Sequence, residues 1–106
     1  MGITKKSGIL ENRLKRNRSK SRSLAFQTLF EIDLTKHDID DVLGHLMVES
    51  DLDKNHLDFT RDIVYGVIDK QKQIDSLISQ CATERDVDDL SSLDRCILRM
   101  GILELM

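Results

Sequence analysis

Hydrophobic residues recur at helical spacing through most of the chain, and no stretch alternates in the way that is typical of a strand. Ala25 and Leu29 lie on one face of the first predicted helix, which begins near Ser19 or Ser21 and ends near Thr35. The absence of proline from 106 residues favours long, uninterrupted helices. The pattern therefore predicts an all-α protein with a single small domain.

The middle of the chain predicts two or three further helices. Asp38 is a natural N-cap for a helix that ends near Glu49, and another helix should run from about Asn55 to Lys70. The apolar segment around Ile78 either continues that helix or is separated from it near Lys70. Both arrangements stay open on the sequence alone.

The last predicted helix begins with a serine followed three residues later by an acid, Ser91 and Asp94, which is similar to a capping box. It is strongly apolar, so it should pack against partners.

Gly66 lies inside the helix predicted from about Asn55 to Lys70. Because glycine weakens a helix, its presence there indicates the close approach of another backbone.

The net charge of −3 hides a strong asymmetry. Residues 1–22 hold eight cations and one acid, whereas residues 23–106 hold eight cations and eighteen acids. A basic arm on an acidic body is typical of a segment that binds a polyanion, although a soluble terminus with no ligand has the same composition. Arg16, Arg18, Lys20 and Arg22 alternate with small polar residues. Such a segment can bind phosphates without reading sequence.

Other chemistry finds little support. Asp51, Asp53 and Asn55 resemble the start of a calcium loop, but His56 stands where that loop needs glycine. A metal site that uses Asp38, Asp41 and His45 would lack a second histidine, and surface residues explain this spacing more simply. We predict no metal, no cofactor and no catalytic residues.

The cysteines suggest a reducing compartment, and the hydropathy suggests that the chain does not enter a membrane. Cys81 and Cys96 fall on or near apolar helical faces and are expected to be buried free thiols. No signal sequence and no apolar run long enough to span a bilayer is present in the sequence. We therefore predict a cytoplasmic protein without a membrane partner.

Four segments of the sequence together carry a resemblance to a known family. They contain Arg18, Lys20, Arg22, Ala25, Gln27, Leu29 and Phe30, then Leu34, Asp38, Ile39, Asp41 and Val42, then the run from Arg61 to Val67, and finally the run from Leu93 to Leu105. In this order the segments resemble the NusB family of transcription antitermination factors, and the resemblance covers about residues 18–106. Similar segments occur in the NusB-like N-terminal domains of ribosomal RNA cytosine methyltransferases.

The resemblance implies a fold and a function. The fold would be an N-terminal three-helix bundle packed against a second bundle. The function would be non-catalytic: the family binds the boxA element of nascent RNA together with NusE, a small-subunit ribosomal protein, and the complex makes RNA polymerase read through terminators, notably in ribosomal RNA operons. On this chain the implied RNA contacts are Arg16, Arg18, Lys20, Arg22 and Gln27. The implied NusE-facing residues are Phe30 and Asp94.

The chain also departs from the family pattern. Ser19 occupies a position that is often basic, and Cys81 replaces a common aromatic residue. The sequence given stops before the helices that complete the second bundle in relatives, so we expect a fragment or a truncated gene product. Residues 1–17 would be a flexible basic arm, and residues 18–106 an incomplete NusB-like domain. An under-covered face on the last helix should then promote self-association or local disorder. This face contains Ile97, Leu98, Ile102 and Leu105.

Two alternatives remain at this point. The chain could be the RNA-targeting domain of a ribosomal RNA cytosine methyltransferase, which a fused cofactor-binding domain would reveal. It could also be a helical protein-interaction module whose basic arm is incidental. Neutralising Arg18, Lys20 and Arg22 separates this last alternative from the others. The loss of these charges should impair an RNA-binding role but not a protein-interaction role.

Overall fold

The structure is a computed structural model that describes the backbone of residues 2–81 and 86–106 and, within the first helix, the side chains of residues 8, 11, 12 and 15 onward. The described residues form helices and connecting turns without a strand, which confirms the predicted all-α fold. The helices are α1 (Gly2–Thr35), α2 (Ile39–Glu49), α3 (Lys54–Asp69), α4 (Gln71–Cys81) and α5 (Ser92–Leu105), with a short 3-10 helix (Val87–Asp89) before α5.

The first helix is longer than the apolar pattern predicts. It begins at Gly2 rather than near Ser19 or Ser21, so that boundary was wrong. Lysine, arginine and leucine favour a helix by intrinsic propensity, and a search for apolar periodicity does not detect a helix that rests on propensity. The mobility expected of residues 1–17 stays a prediction. The open question in the middle of the chain is answered by a turn at Lys70, which separates α3 from α4.

Side-chain caps start α2 and α5 where the sequence predicts them. The Asp38 carboxylate accepts the Asp41 backbone N–H at 3.3 Å, and the Ser91 hydroxyl accepts the Asp94 backbone N–H at 3.1 Å. The C-terminal end of α1 is capped by the backbone instead of a side chain. Lys36 has a left-handed φ of 61° and donates its backbone N–H back into the last turn of the helix.

Two apolar clusters hold the helices together, and α5 contributes to both. The main core lies among α1, α2, α3 and α5, and a smaller cluster lies among α4, α5 and the 3-10 helix. The buried residues of the main core are Ala25, Leu29, Leu43, Ile63, Val64, Val67, Cys96 and Met100, and those of the smaller cluster are Ile74, Ile78 and Val87. Because α5 packs against both, its orientation links α1 to α4.

Gly66 allows α5 to approach α3 closely. A Cβ added there would lie 3.0 Å from Cδ2 of Leu103, which is shorter than normal contacts. The neighbour is therefore a side chain, not the backbone that the sequence analysis expected. The glycine makes room for Leu103 between the two apolar clusters.

One side of α5 is exposed. Four apolar residues of this helix were predicted to be under-covered, and three of them are exposed. Ile97 is 53% exposed, Leu105 is 88% exposed and Leu98 is also exposed. Ile102 is instead half-buried against the smaller cluster. Self-association through this face stays a prediction.

The two cysteines differ in environment. Cys96 is buried as predicted, and burial raises the pKa of its thiol. The prediction for Cys81 was wrong, because this residue is exposed at the end of α4, beyond the buried positions Ile74 and Ile78. Neither thiol forms a disulfide. In the described parts of the chain, no helix combines the length and hydrophobicity needed to cross a membrane.

Candidate nucleic-acid interface

The cations predicted to bind RNA are exposed on α1, but they do not all lie on one side of it. Arg16, Arg18, Lys20 and Arg22 are all exposed, and they occupy adjacent turns of one helix. Within the part of the chain that the structure describes, Arg16 and Arg18 form no ion pair. Their guanidinium groups therefore present positive charge to solvent, where a phosphate can approach.

Lys20 is held by the loop between α2 and α3. Its Nζ lies 3.2 Å from Oδ2 of Asp51, and both side chains are largely exposed. The buried residue Ser21 fixes the helix beside this loop, because its hydroxyl donates to the backbone carbonyls of Asn17 and His56. The position of Lys20 is thus set by the packing of α1 on α3.

Arg22 is held on the opposite side of the helix by α5 and α3. Its Nε donates to Oε1 of Glu104 at 2.7 Å, and its guanidinium carbon lies 5.7 Å from the centre of the Phe59 ring. The ion pair neutralises the charge, and the ring supplies a cation–π contact of about 0.5–1 kcal/mol at an exposed site. Arg22 is therefore oriented by two elements, unlike Arg16 and Arg18.

Two grooves flank a narrow ridge of small polar side chains on α1. The ridge consists of Ser19, Ser23 and Gln27, which line both grooves. Arg22 lies in the larger groove of about 460 Å³, and Lys20 lies in the smaller groove of about 270 Å³. The structure thus brings Gln27 together with both cations, but it places Lys20 and Arg22 in different grooves.

The larger groove is apolar on the α5 side. Phe26 faces Ile97 and Met100 across it, and Phe26 stacks on Phe30 with ring centroids 5.6 Å apart. Both phenylalanines pack against the main core but stay partly exposed. An aromatic ring in a groove beside a cation can receive an unpaired base.

The two predicted partner-facing residues have different neighbours. Phe30 stacks on Phe26 in α1, whereas Asp94 is exposed in the first turn of α5, where only its backbone N–H is used by the Ser91 cap. Their role in binding a partner stays a prediction.

A network of ionic side chains, which the sequence analysis missed, joins α1 to α4 and α5. Asp33 accepts hydrogen bonds from the Ser92 hydroxyl and from Nη2 of Arg95 at 2.9 Å. Arg99 contacts Asp33 at 3.7 Å and binds both carboxylate oxygens of Asp75, at 2.8 and 2.9 Å. These side chains are mostly buried, so their charges must be paired within the fold.

The network changes the acidity of Asp33. Burial by itself would raise the pKa of this carboxyl. Hydrogen bonds from Arg95 and Ser92 outweigh that effect, so the pKa of Asp33 lies below its ordinary value. The same hydrogen bond raises the pKa of Arg95. Arg95 also donates to the backbone carbonyls of Val87 and Asp88, which fixes the 3-10 helix against α5.

The acidic loop that resembles a calcium site serves as a helix cap. The Asp53 carboxylate accepts the backbone N–H of His56 at 2.9 Å and lies 2.6 Å from its Nδ1. Both hydrogen bonds lower the pKa of Asp53, and the bond from the backbone N–H of His56 has the larger effect. Across the described residues, no three His, Cys, Asp or Glu side chains converge as metal ligands would.

Comparisons with known proteins agree on one family. The model of the NusB family matches residues 19–106. A transcription antitermination protein NusB from Oceanobacillus iheyensis is 38% identical over 90 residues, which are 85% of this chain and 68% of that protein. The namesake from Chloroflexus aggregans is 31% identical over 94 residues, which are 89% of this chain and 63% of that protein. The relatives are named as antitermination proteins rather than enzymes, in agreement with the prediction of a non-catalytic chain.

A solved structure shares the fold. A chain from the structure described as "Crystal Structure of a Plectonemic RNA Supercoil" superposes with a TM-score of 0.80 at 25% identity. The match covers 86% of this chain and 67% of that chain. This chain therefore spans about two thirds of the length of the proteins that it resembles.

Proposed function

Because this chain belongs to the NusB family, we propose that it is an RNA-binding transcription antitermination factor. The observation that carries the proposal is the set of exposed cations on α1, which begins near the middle of the helix with Arg16 and Arg18 and ends at the two grooves with Lys20 and Arg22. Proteins named as transcription antitermination factors are its relatives, which supports the same reading.

The proposed ligand is single-stranded boxA-type RNA in a nascent transcript. Arg16 and Arg18 bind backbone phosphates near the middle of α1, and Lys20 and Arg22 bind phosphates that follow the grooves. Gln27 donates or accepts hydrogen bonds from the ridge, and the partly exposed ring of Phe26 stacks on a base. Phosphate contacts supply affinity, and the few contacts to base edges and faces supply selectivity.

The proposed mechanism is assembly on RNA without covalent chemistry. We place NusE on the surface that includes Phe30 and Asp94, so that RNA and protein partner bind neighbouring parts of α1 and α5. The assembled complex then joins the elongating polymerase and promotes read-through, notably in ribosomal RNA operons. The role of this chain is to hold the RNA and the partner in a fixed relative position.

A binding titration tests the RNA contact. The affinity for labelled single-stranded boxA-type RNA, measured by fluorescence anisotropy with and without NusE, should fall at least tenfold for the double variant Arg16→Gln, Arg18→Gln. Lys72→Gln, which removes an exposed cation from α4, is the matched control and should change it little. If four cations each bind a phosphate, the slope of log K against log salt is about −3. Equal losses in both variants, or a slope near zero, would contradict the proposal.

A second titration tests the partner surface. Asp94→Asn keeps the backbone hydrogen bond of the helix cap, so it should leave RNA binding by the chain alone unchanged and reduce the gain in affinity that NusE provides. Asp62→Asn, an exposed acid on α3, is the control. If NusE enhances RNA binding equally in both variants, Asp94 lies outside the partner surface.

A further inference from the structure

Two of the four cations proposed to bind RNA are already bound to carboxylates of the acidic body. Arg22 pairs with Glu104 at 2.7 Å, and Lys20 pairs with Asp51 at 3.2 Å. The acids come from elements remote in sequence, one at the end of α5 and one in the loop between α2 and α3. The two pairs lie on opposite sides of the ridge, one in each groove or beside it.

We propose that Glu104 and Asp51 compete with RNA phosphates for Arg22 and Lys20 and thereby set the affinity for RNA. This inference rests on the proposed RNA-binding function and adds two acidic residues that lower the affinity. A carboxylate bound to the guanidinium occupies a donor that a phosphate would use, and its negative charge repels the approaching backbone.

The exposure of the pairs makes this exchange feasible. The side chains of Arg22 and Glu104 are 47% and 39% exposed, so the ion pair can open into solvent. Exposed pairs contribute little to stability, which means that a phosphate can replace the carboxylate at a small cost. The Phe59 ring gives the guanidinium a second contact that does not use the carboxylate of Glu104.

Because of this competition, the affinity of the chain depends on how much of α1 an RNA strand covers. Arg16 and Arg18, which form no ion pair within the described residues, can bind any polyanion. Lys20 and Arg22 add their affinity only when a strand follows α1 far enough to displace both carboxylates. A short or wrongly placed strand gains the first contacts alone. The acids therefore favour ligands that fill both grooves.

The test is a set of charge-removing variants with labelled single-stranded boxA-type RNA. Glu104→Gln and Asp51→Asn should each tighten binding about two- to fivefold, which corresponds to the strength of an exposed ion pair. Asp62→Asn removes the same charge from the exposed surface of α3 and should change affinity less than twofold. Far-UV circular dichroism and the Tm check that each variant is folded.

A double-mutant cycle of Arg22→Gln and Glu104→Gln distinguishes two roles for Glu104. It either competes with RNA for Arg22 or orients Arg22 to bind RNA. Competition predicts that Arg22→Gln weakens binding more in the Glu104→Gln background than in the wild type. An orienting role predicts weaker binding for Glu104→Gln and a smaller effect of Arg22→Gln in that background. The second pattern, or equal effects of Glu104→Gln and Asp62→Asn, would overturn the inference.

The outcomes also separate this inference from the proposed function. If the wild type binds RNA through Arg16 and Arg18 but the acidic variants behave like the control, only the competition is wrong. If neither the wild type nor any variant binds the RNA, both proposals fail.

Discussion

The contact between α1 and α5 has two ends with the same chemistry and different surroundings. At one end Arg22 of α1 binds Glu104, and at the other end Asp33 of α1 binds Arg95. The two helices therefore run antiparallel. The side chains of the first pair are 47% and 39% exposed, whereas those of Arg95 and Asp33 are 17% and 12% exposed.

This difference in exposure assigns different roles to the two pairs. An exposed pair contributes up to about 1 kcal/mol, because water solvates either charge nearly as well as the partner does. Removing one partner of a buried pair costs about 3–5 kcal/mol, since the remaining charge is left without compensation. The Asp33 end is therefore structural, and the Arg22 end can exchange its partner for a ligand.

The largest expected effect is on stability. Asp33→Asn should lower the free energy of unfolding by about 3 kcal/mol, because it leaves Arg95 with backbone carbonyls as its remaining partners and removes a charge beside Arg99. Glu104→Gln should lower it by less than about 1 kcal/mol. Urea denaturation followed by circular dichroism measures both. Similar losses in the two variants would remove the distinction between the two ends.

Acid should weaken the Asp33 end as its carboxyl takes up a proton. The pKa of Asp33 is lowered in the folded state, so its contribution is fully present above the unfolded-state value of about 4. The contribution is lost as the pH falls through the lower folded-state pKa. The difference in unfolding free energy between the wild type and Asp33→Asn should therefore shrink at acidic pH. A difference that stays constant down to pH values well below 4 would show that the charge of Asp33 is not its source.

Double-mutant cycles compare the pairs directly. The coupling between Asp33 and Arg95 should be about 2 kcal/mol in unfolding experiments, whereas that between Arg22 and Glu104 should be about 0.5 kcal/mol. Asparagine for Asp33 and glutamine for Glu104 keep the side-chain volumes close to the originals, and glutamine replaces each arginine. Coupling of the Arg22 pair at the level of the Asp33 pair would make Glu104 a structural residue and argue against exchange with RNA.

Salt should produce the smallest effect and act on one end. At about 1 M salt the Debye length is near 3 Å, so the small stabilisation from Arg22 and Glu104 should decrease. The loss caused by Asp33→Asn should persist, because solvent ions do not enter the mostly buried network. Repeating the urea titrations at low and high sodium chloride checks this, and a salt-sensitive Asp33 variant would contradict it.

Local patterns predicted much of the fold. The caps at Asp38 and Ser91 and the apolar spacing of α3 depend on residues close in sequence, and the structure confirms them. The apolar pattern of α5 did not identify its buried side, which carries Cys96, Arg99 and Met100. The start of α1 was missed because the sequence before Ser19 lacks the apolar periodicity on which the prediction relied. Cys81 was misassigned since a position at the end of α4 follows the helical period without reaching the core.

The site could be predicted only in part. The cations on α1 are evident from charge, but their partners are far away in the chain: Glu104 follows Arg22 by 82 residues, and Arg95 follows Asp33 by 62. No local spacing connects such residues. The sequence therefore identifies which groups can bind an anion, while the fold determines which of them are already occupied.

The length of α1 has a kinetic consequence. Its 34 residues extend about 50 Å at 1.5 Å per residue, close to the 54 Å length of the whole molecule. A helix of this length with exposed guanidinium groups sweeps a larger volume during rotational diffusion than a rounded body of equal mass. In the proposed function, encounters with a passing transcript can therefore begin on this helix before the strand reaches the grooves. The helix would then enlarge the target for capture as well as carry the proposed binding residues.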